Sequence, residues 1–311
     1  MKRCPITYDI ISDPENYSQR GLRLLSPRLK ALSPLELSAE EQRKEAIDRV
    51  GKMSIQGVQR KLSAQLKIRA GCFELVDQKG HYILKPQSDT YPELPENEAI
   101  SMSLAKTIGL EVPIHGLLYS KDQSMTYFIK RFDRVVHNEK LALEDFAQLS
   151  NGDRYTKYDS SMEKVINVIE NFCTFPKIEF VKLFKLTLFN FLIGNEDMHL
   201  KNFSLITKDK KISLSPAYDL LNSTIAQKNA QEEIALPLRG RKNNLNKHDI
   251  FDYFAVERLG LNQKIIDRVI QDFQCAIPKW QKLIGMSFLS QAMQEKYLHL
   301  LEVRRKRLDF F

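Results

Sequence analysis

The residues whose types and spacing could perform chemistry lie in a polar segment that follows a strongly apolar run. Asp197 and Asn202 are five residues apart in this segment, directly after the apolar run 180–193. Asp219 follows a short hairpin that the sequence predicts further along. The spacing of Asp197 and Asn202 is that of a catalytic aspartate and a metal-binding asparagine in phosphoryl transfer. Asn202 and Asp219 supply hard oxygen ligands that suit Mg²⁺ bound to phosphates.

A lysine and a glutamate earlier in the chain extend this set. Phosphoryl transfer depends on positioning and on neutralising phosphate charge, so a lysine on a strand near the α- and β-phosphates is expected. Lys85 meets this expectation because it ends the strand-like run 82–85. Glu98 lies on the next predicted helix, and the sequence predicts that it forms an ion pair with Lys85.

A polar loop with a single glycine precedes the first predicted strand. The loop covers residues 54–63, with Gly57 as its glycine. Backbone N–H groups at such a turn can cradle a phosphate. The loop has neither the Walker A pattern nor the G-x-G-x-x-G pattern. Its predicted role in phosphate binding therefore rests on the turn alone and not on a known motif.

The elements that must position these residues change character along the chain. Ser38 and Glu41 form a predicted capping box at the start of a helix. Short alternating runs then predict antiparallel strands, and an amphipathic pattern predicts a helix that ends at Gly109. After Arg131 the pattern predicts helices for nearly all the remaining length, except for a loop, hairpin and loop within 195–221.

This order of elements predicts an α+β, bilobal fold. The strand-rich N-terminal lobe is assigned to residues 1–130 and the mostly helical C-terminal lobe to residues 131–311. Ligands commonly bind where two such halves meet. The apolar helix 180–193 is too short to span a membrane, so it is interpreted as a helix of the core.

Composition narrows the class of protein. The 311 residues are 43% apolar, which suffices for a sizeable core. Four cysteines lie far apart with no C-x-x-C pair, so they are interpreted as reduced thiols of a soluble, cytoplasmic protein. The formal charge of +8 and the basic run 304–307 suit an acidic partner, but they are weak evidence for nucleic-acid binding.

At this point the sequence resembles a known family. Six segments occur in family order over roughly residues 50 to 225, and together they resemble the HipA family of bacterial kinase toxins, which has a divergent protein-kinase fold. The segments are 54–61, 83–86, 97–99, 131–134, 194–202 and 218–221.

The resemblance implies a role for each matching position. Asp197 is the catalytic base, Asn202 and Asp219 bind Mg²⁺, and Lys85 contacts the phosphates of ATP. Ser54 is the expected site of autophosphorylation, which would inactivate the kinase by displacing its loop. The implied ATP contacts are Gln56, Gly57, Val58, Gln59, Arg60, Lys61, Lys85, Lys130, Arg131, Phe132, His199, Leu200, Lys201, Asn202, Tyr218 and Asp219.

The length before Ser54 resembles a subgroup of the family. Only about 50 residues precede Ser54, as in the short HipT toxins, whose systems include a small HipS-like antitoxin and a HipB-like DNA-binding protein. The resemblance therefore implies a serine/threonine protein kinase toxin of a toxin–antitoxin system. Known targets in the family are aminoacyl-tRNA synthetases, so a synthetase is the expected substrate.

Two other functions remain open from the sequence. One is a catalytically silent, kinase-like module in a DNA-bound repressor complex, and the intact set of Lys85, Asp197, Asn202 and Asp219 argues against it. The other is a phosphotransferase that acts on a small molecule. His199 is interpreted as a supporting residue of the scaffold rather than as a proton shuttle.

Overall fold

The computed structural model describes residues 1–49, 59–135, 139–152, 156–227 and 230–309. The chain divides into two compact units. The first unit comprises Met1–Ile100, Pro113–Asn138 and Met286–Leu289, and the second comprises Ser101–Val112, Glu139–Gly285 and Ser290–Phe311. The lobe boundary predicted at residue 130 stays a prediction.

A five-stranded antiparallel sheet forms the centre of the first unit. Its strand order is β2-β1-β3-β5-β4, and Lys85 at the end of β3 pairs with Tyr127 on β5. The prediction of antiparallel strands is confirmed, but the first strand, predicted from the run 66–69, begins and ends earlier, and β2 was not predicted. The strands are β1 Leu62–Lys67, β2 Cys72–Leu75, β3 Tyr82–Lys85, β4 His115–Tyr119 and β5 Met125–Lys130.

The segment before the sheet contributes more to the core than its polar appearance predicts. A short helix, α1, covers Gln19–Leu25, and Ser18 accepts a hydrogen bond from the backbone N–H of Gly21 at its start. Apolar residues scattered among prolines and serines are buried in one hydrophobic cluster with residues of the sheet. Their irregular spacing has no helical or strand periodicity, so the sequence did not predict this packing. They include Cys4, Ile6, Ile11, Tyr17, Leu22, Leu25, Leu29, Leu32 and Leu35.

The helices that flank the strands follow their sequence signals. Helix α2 covers Ala39–Arg49, and its capping box is confirmed: the Ser38 N–H donates to Glu41 Oε2 at 2.7 Å, and the Glu41 N–H donates to Ser38 Oγ at 3.2 Å. Helix α3 covers Leu94–Thr107. Gly109 follows it with a φ of +75°, which agrees with the predicted helix end.

Helices make up most of the second unit. Helix α6 is buried on nearly every side, which confirms its interpretation as a core helix. Among the described residues, no helix is long and apolar enough to cross a membrane. The helices are α4 Phe146–Leu149, α5 Met162–Phe172, α6 Pro176–Ile193, α7 Ser223–Ala226, α8 Gln263–Gly285 and α9 Gln291–Arg307, with a 3₁₀ turn at Leu200–Asn202 and a π-helical segment at His248–Arg258.

A three-stranded sheet in the second unit corrects the expectation of helices after Arg131. The predicted hairpin is present as β7 Ser204–Lys208 and β8 Lys211–Leu214, but β6 Ala142–Asp145 pairs with β7 as a third strand. The residue types of β6, two apolar residues followed by two acidic ones, show no alternation of apolar and polar positions. Their extended conformation comes from pairing with a strand about 60 residues away in the chain, which local periodicity does not reveal.

Candidate active site

Helix α6 ends at Gly194 and thereby fixes the start of the polar segment that follows. Gly194 has a φ of +74°, which glycine adopts without strain. A Cβ at this position would lie 2.4 Å from Leu300 Cδ2 and 2.8 Å from Thr224 Oγ1. The close packing and the left-handed backbone both require glycine here, so the helix ends at a defined point three residues before Asp197.

Hydrogen bonds hold the backbone of Asp197 on both sides. Its N–H donates to Asn195 Oδ1 at 3.1 Å, and its carbonyl oxygen accepts from Asn202 Nδ2 at 2.9 Å and from the His199 N–H at 2.8 Å. The side chain of Asp197 is 45% exposed. The hydroxyl of Tyr158 donates a hydrogen bond to Oδ1 of this carboxylate. Asp197 is therefore fixed in place and still accessible to a reactant.

The amide of Asn202 is oriented by its bond to Asp197. Because a carbonyl oxygen can only accept, the Nδ2 group must face it, and Oδ1 is the amide atom left for a cation. Asp219 adopts a φ of +57°, a left-handed conformation in which aspartate is enriched. Asn202 precedes β7 and Asp219 follows β8, so both residues belong to the open end of one hairpin.

Tyr218 fastens the two sides of that hairpin end. Its hydroxyl lies 2.6 Å from Ser204 Oγ and donates to the carbonyl oxygen of Lys201 at 2.9 Å. The Lys201 Nζ forms a 2.8 Å ion pair with Asp145, which also caps α4. Lys201 was predicted to contact ATP, and in this structure its charge is directed at Asp145.

His199 lies beside both carboxylates. Its Nε2 is 4.0 Å from Asp197 Oδ1, beyond hydrogen-bonding distance. Burial lowers the pKa of His199, while the negative charges of Asp197 and Asp219 oppose this effect and Lys157 adds to it. The imidazole is therefore neutral at neutral pH, and its interpretation as a supporting residue stays a prediction.

The predicted pair of Lys85 and Glu98 is present in the first unit. Lys85 Nζ lies 2.6 Å and 2.8 Å from the two carboxylate oxygens of Glu98. The side chains are 4% and 1% exposed, respectively. Lys85 Nζ also lies 5.5 Å from the centre of the Tyr127 ring, in the range of a cation–π contact. The ammonium group is thus held on a strand in a fixed orientation.

The other predicted nucleotide contacts of the first unit are described only in part. Lys130 ends β5, and the Arg131 guanidinium donates to both oxygens of Asp133 at 2.9 and 2.7 Å. Burial alone would raise the pKa of Asp133, but the hydrogen bond and charge of Arg131, together with the charge of Arg134 and a backbone hydrogen bond, hold that pKa below its usual value. Phe132 lies between these two residues, and Gln59, Arg60 and Lys61 directly precede β1. Ser54, Gln56, Gly57 and Val58 lie outside the described residues.

The donor set of the second unit fits Mg²⁺ that is also bound to phosphates. The described residues contain no cluster of three or more His, Cys, Asp or Glu side chains that could hold a metal. The hairpin end instead carries one amide oxygen and one carboxylate, those of Asn202 and Asp219. Such a partial set suits Mg²⁺, which is usually held by one or two carboxylates together with phosphate oxygens and water.

Two groups of site residues were missed from the sequence. Tyr158 contacts Asp197 from 39 residues upstream and belongs to no recognisable motif. Ser223 and Thr224 bind the segment before Asp197: the Glu196 N–H donates to Ser223 Oγ at 2.6 Å, and the Thr224 N–H donates to the Gly194 carbonyl at 3.1 Å. Only the position of Ser223 and Thr224, directly after the Asp219 segment, could have drawn attention to them.

Comparison with known proteins places the chain in a family. A family model described as the HipA-like C-terminal domain matches residues 53–281. A protein of Haemophilus influenzae named “Putative kinase” is 30% identical, over 94% of this chain and 91% of that protein. The chain therefore belongs to the HipA-like family, which confirms the resemblance stated from its motifs. Its assignment to the short HipT type stays a prediction.

Solved structures confirm the fold class. The HipA chain in a Shewanella oneidensis complex of HipA, HipB and operator DNA gives a TM-score of 0.69 at 20% identity, covering 90% of this chain and 74% of that chain. The Helicobacter pylori proinflammatory kinase CtkA gives 0.57 at 19% identity, covering 83% and 93%. The fold is thus α+β and kinase-like. Together with the Haemophilus influenzae relative named as a putative kinase, this fold supports a kinase-like enzyme.

Proposed function

We propose that the protein is a serine/threonine protein kinase that transfers the γ-phosphate of ATP to a protein hydroxyl. The observation that carries this proposal is the geometry of the second unit. An accessible carboxylate, Asp197, is tied through its backbone to Asn202, and Asn202 shares a hairpin end with Asp219. A base and a pair of metal ligands are the parts that phosphoryl transfer requires from a protein.

Each residue has a defined part in the proposed reaction. The acceptor oxygen forms a bond to the γ-phosphorus, the bond from that phosphorus to the oxygen of ADP breaks, and Asp197 receives the hydroxyl proton. Asn202 and Asp219 would hold Mg²⁺, and the bound cation would neutralise negative charge on the phosphates. Lys85, oriented by Glu98, contributes positive charge to the phosphates.

The biological setting belongs to the same proposal. The Shewanella HipA neighbour is described in complex with HipB and operator DNA, and this supports a HipB-like DNA-binding partner for the present chain. We extend the proposal to a toxin of the short HipT type with a HipS-like antitoxin, an aminoacyl-tRNA synthetase as substrate, and autophosphorylation at Ser54.

The experiment that tests the proposed activity is intact-mass analysis after incubation with Mg²⁺ and ATP. The wild type should gain the mass of one phosphate, and Asp197→Asn should gain none because the proton acceptor is lost. Ser54→Ala should also lose this mass if Ser54 is the acceptor. Phosphate on Asp197→Asn at the wild-type rate would exclude Asp197 as the base.

The two alternatives give different results in the same experiment. A silent module would bind ATP in calorimetry and incorporate no phosphate into itself or into synthetases. A small-molecule phosphotransferase would leave proteins unmodified and release ADP only when its acceptor is added. The ion pair of Lys85 and the accessible carboxylate of Asp197 favour an active enzyme over a silent module.

A further inference from the structure

The hydroxyl of Tyr158 contacts the proposed catalytic base directly. It donates a hydrogen bond to Oδ1 of Asp197, and 37% of the Tyr158 residue remains exposed. Asn195 and Asn202 bind the backbone of Asp197, not its carboxylate. Among the described residues, Tyr158 is the one side chain that donates a hydrogen bond to the carboxylate itself.

A carboxylate needs such a donor if one of its oxygens is to point in a constant direction. The terminal torsion of an aspartate side chain is broad and roughly two-fold, so holding the backbone does not determine which oxygen faces the acceptor. At 4.0 Å, His199 Nε2 is too distant to supply this bond. The phenol of Tyr158 therefore has a task that the loop around Asp197 does not perform.

Tyr158 is itself held firmly enough for this task. The Leu200 N–H donates to the carbonyl oxygen of Lys157 at 3.1 Å, which ties the tyrosine segment to the 3₁₀ turn of the catalytic loop. The Tyr158 ring meets the His199 ring edge to face, with centroids 5.1 Å apart and planes at 85°. Lys157 Nζ lies 4.9 Å from the centroid of the same ring. These contacts locate the ring from different sides.

The phenol also keeps its proton. Burial raises the pKa of Tyr158, and the negative charge and hydrogen bond of Asp197 raise it further. The hydroxyl therefore remains a donor at neutral pH, and it orients the carboxylate without cancelling its charge as a lysine or arginine would.

We infer that Tyr158 is a positioning residue for phosphoryl transfer: its hydroxyl fixes Oδ1 of Asp197 so that Oδ2 is presented to the acceptor hydroxyl. The inference rests on the proposed function of Asp197 as the base. In the opposite case, the Tyr158 hydroxyl would occupy the place of the acceptor hydroxyl and slow the reaction. Removing the hydroxyl would then give a variant that is faster than the wild type.

The test compares Tyr158→Phe with a matched control, Tyr253→Phe. The Tyr253 hydroxyl donates to Glu163 Oε1 at 3.0 Å, so the control also removes one phenol–carboxylate bond in the second unit, away from Asp197. The initial rate of phosphate incorporation into the full chain is measured by intact mass over a range of Mg²⁺-ATP concentrations. Thermal unfolding and calorimetric ATP binding are measured on the same samples, together with Asp197→Asn.

The expected result is a loss of rate without a loss of binding. Tyr158→Phe should lower the limiting rate by about 10- to 100-fold while changing the half-saturating ATP concentration by less than about twofold. Tyr253→Phe should keep the wild-type rate, and the two variants should melt at similar temperatures.

Three outcomes would overturn the inference. They are a Tyr158→Phe rate equal to that of Tyr253→Phe, a rate above the wild type, and a rate loss accompanied by weaker ATP binding and a lower melting temperature. A failure of the proposed function is recognised separately, because then the wild type incorporates no phosphate or Asp197→Asn incorporates it at the wild-type rate.

Discussion

The two charged groups at the centre of the proposed reaction are held in opposite ways within their own units. Lys85 and Glu98 in the first unit expose 4% and 1% of their side chains, and their charges neutralise each other. Asp197 in the second unit exposes 45% of its side chain, and its carboxylate is held by the neutral phenol of Tyr158. The positive charge of Lys85 is paired within the first unit, whereas the negative charge of Asp197 remains accessible to solvent.

The difference follows from the proposed task of each group. Removing an ion from water costs several kcal/mol unless an opposite charge and hydrogen bonds compensate, so a lysine as buried as Lys85 needs Glu98. A base must be reached by its substrate, so Asp197 stays accessible and is oriented by neutral donors. Changes in the first region should therefore affect stability, and changes in the second should affect rate.

The largest effect is expected for Asp219→Asn. Losing the carboxylate that we propose to bind Mg²⁺ should lower the rate of phosphate incorporation at least about 100-fold, since charge neutralisation dominates phosphoryl transfer. Asparagine tolerates the left-handed conformation of this position, so the melting temperature should hardly change.

Calorimetry of ATP binding with and without Mg²⁺ checks the reason for this loss. Mg²⁺ should strengthen ATP binding to the wild type and should have little effect on binding to Asp219→Asn. An equal effect of Mg²⁺ on both proteins would remove Asp219 from the metal site.

The second prediction concerns the buried pair. Lys85→Met should lower the free energy of unfolding by about 3–5 kcal/mol, because Glu98 loses its cation in a buried site. The double variant with Glu98→Met should recover most of this stability, since an apolar pair of similar size is tolerated there. Urea unfolding measures the stability of the single and the double variant. Phosphate incorporation should stay low in both variants, because neither has Lys85. A single variant as stable as the wild type would contradict the comparison.

The third prediction concerns Glu96, a buried carboxyl two residues from Glu98. Burial raises the pKa of Glu96 to about 7, with Glu93 adding to the effect and the hydrogen bonds from Gln87 acting against it. Between pH 4.5 and 7 the folded state holds a proton that the unfolded state has lost, so the free energy of unfolding falls as pH rises through this range.

Urea unfolding at several pH values tests this difference. Between pH 4.5 and 7 the free energy of unfolding of the wild type should fall by up to about 3 kcal/mol. Glu96→Gln should not show this fall, because glutamine does not titrate. Parallel stability curves for the wild type and the variant would show that Glu96 is not protonated by burial.

The smallest effect is expected at the capping box of α2. Ser38→Ala should cost about 1 kcal/mol because the first turn loses a hydrogen-bond acceptor. Glu41→Gln should resemble the wild type, because glutamine also reaches back to the N–H of residue 38. Both are measured by urea unfolding, and phosphate incorporation should be unchanged. A larger loss for Glu41→Gln than for Ser38→Ala would exclude the box as the cause.

Local patterns were enough to predict much of the fold and of the candidate site. The capping box at Ser38 and the apolar helix before Gly194 were expected from residue types and short spacings. The ion pair of Lys85 with Glu98 was expected from the lysine–glutamate pair of protein kinases. These features form between residues that are close in the chain or on successive elements, so backbone periodicity and hydrogen-bonding groups determine them.

The features that were not predicted depend on distant parts of the chain. The strand β6 exists because β7 pairs with it, and Tyr158 contacts Asp197 although 39 residues separate them in the chain. At the end of α9, Arg304 and Arg307 pair with Glu233, about 70 residues earlier in the chain, whereas Arg305 and Lys306 pair with Glu302 of the same helix.

By itself, the sequence determined which residue types are present, how they are spaced and which helices and strands they favour. Tertiary structure alone decided which donor holds the Asp197 carboxylate and where the surplus positive charge of the tail is directed. The physical reason is that side-chain contacts and burial depend on packing between segments far apart in the chain, and no local pattern carries that information.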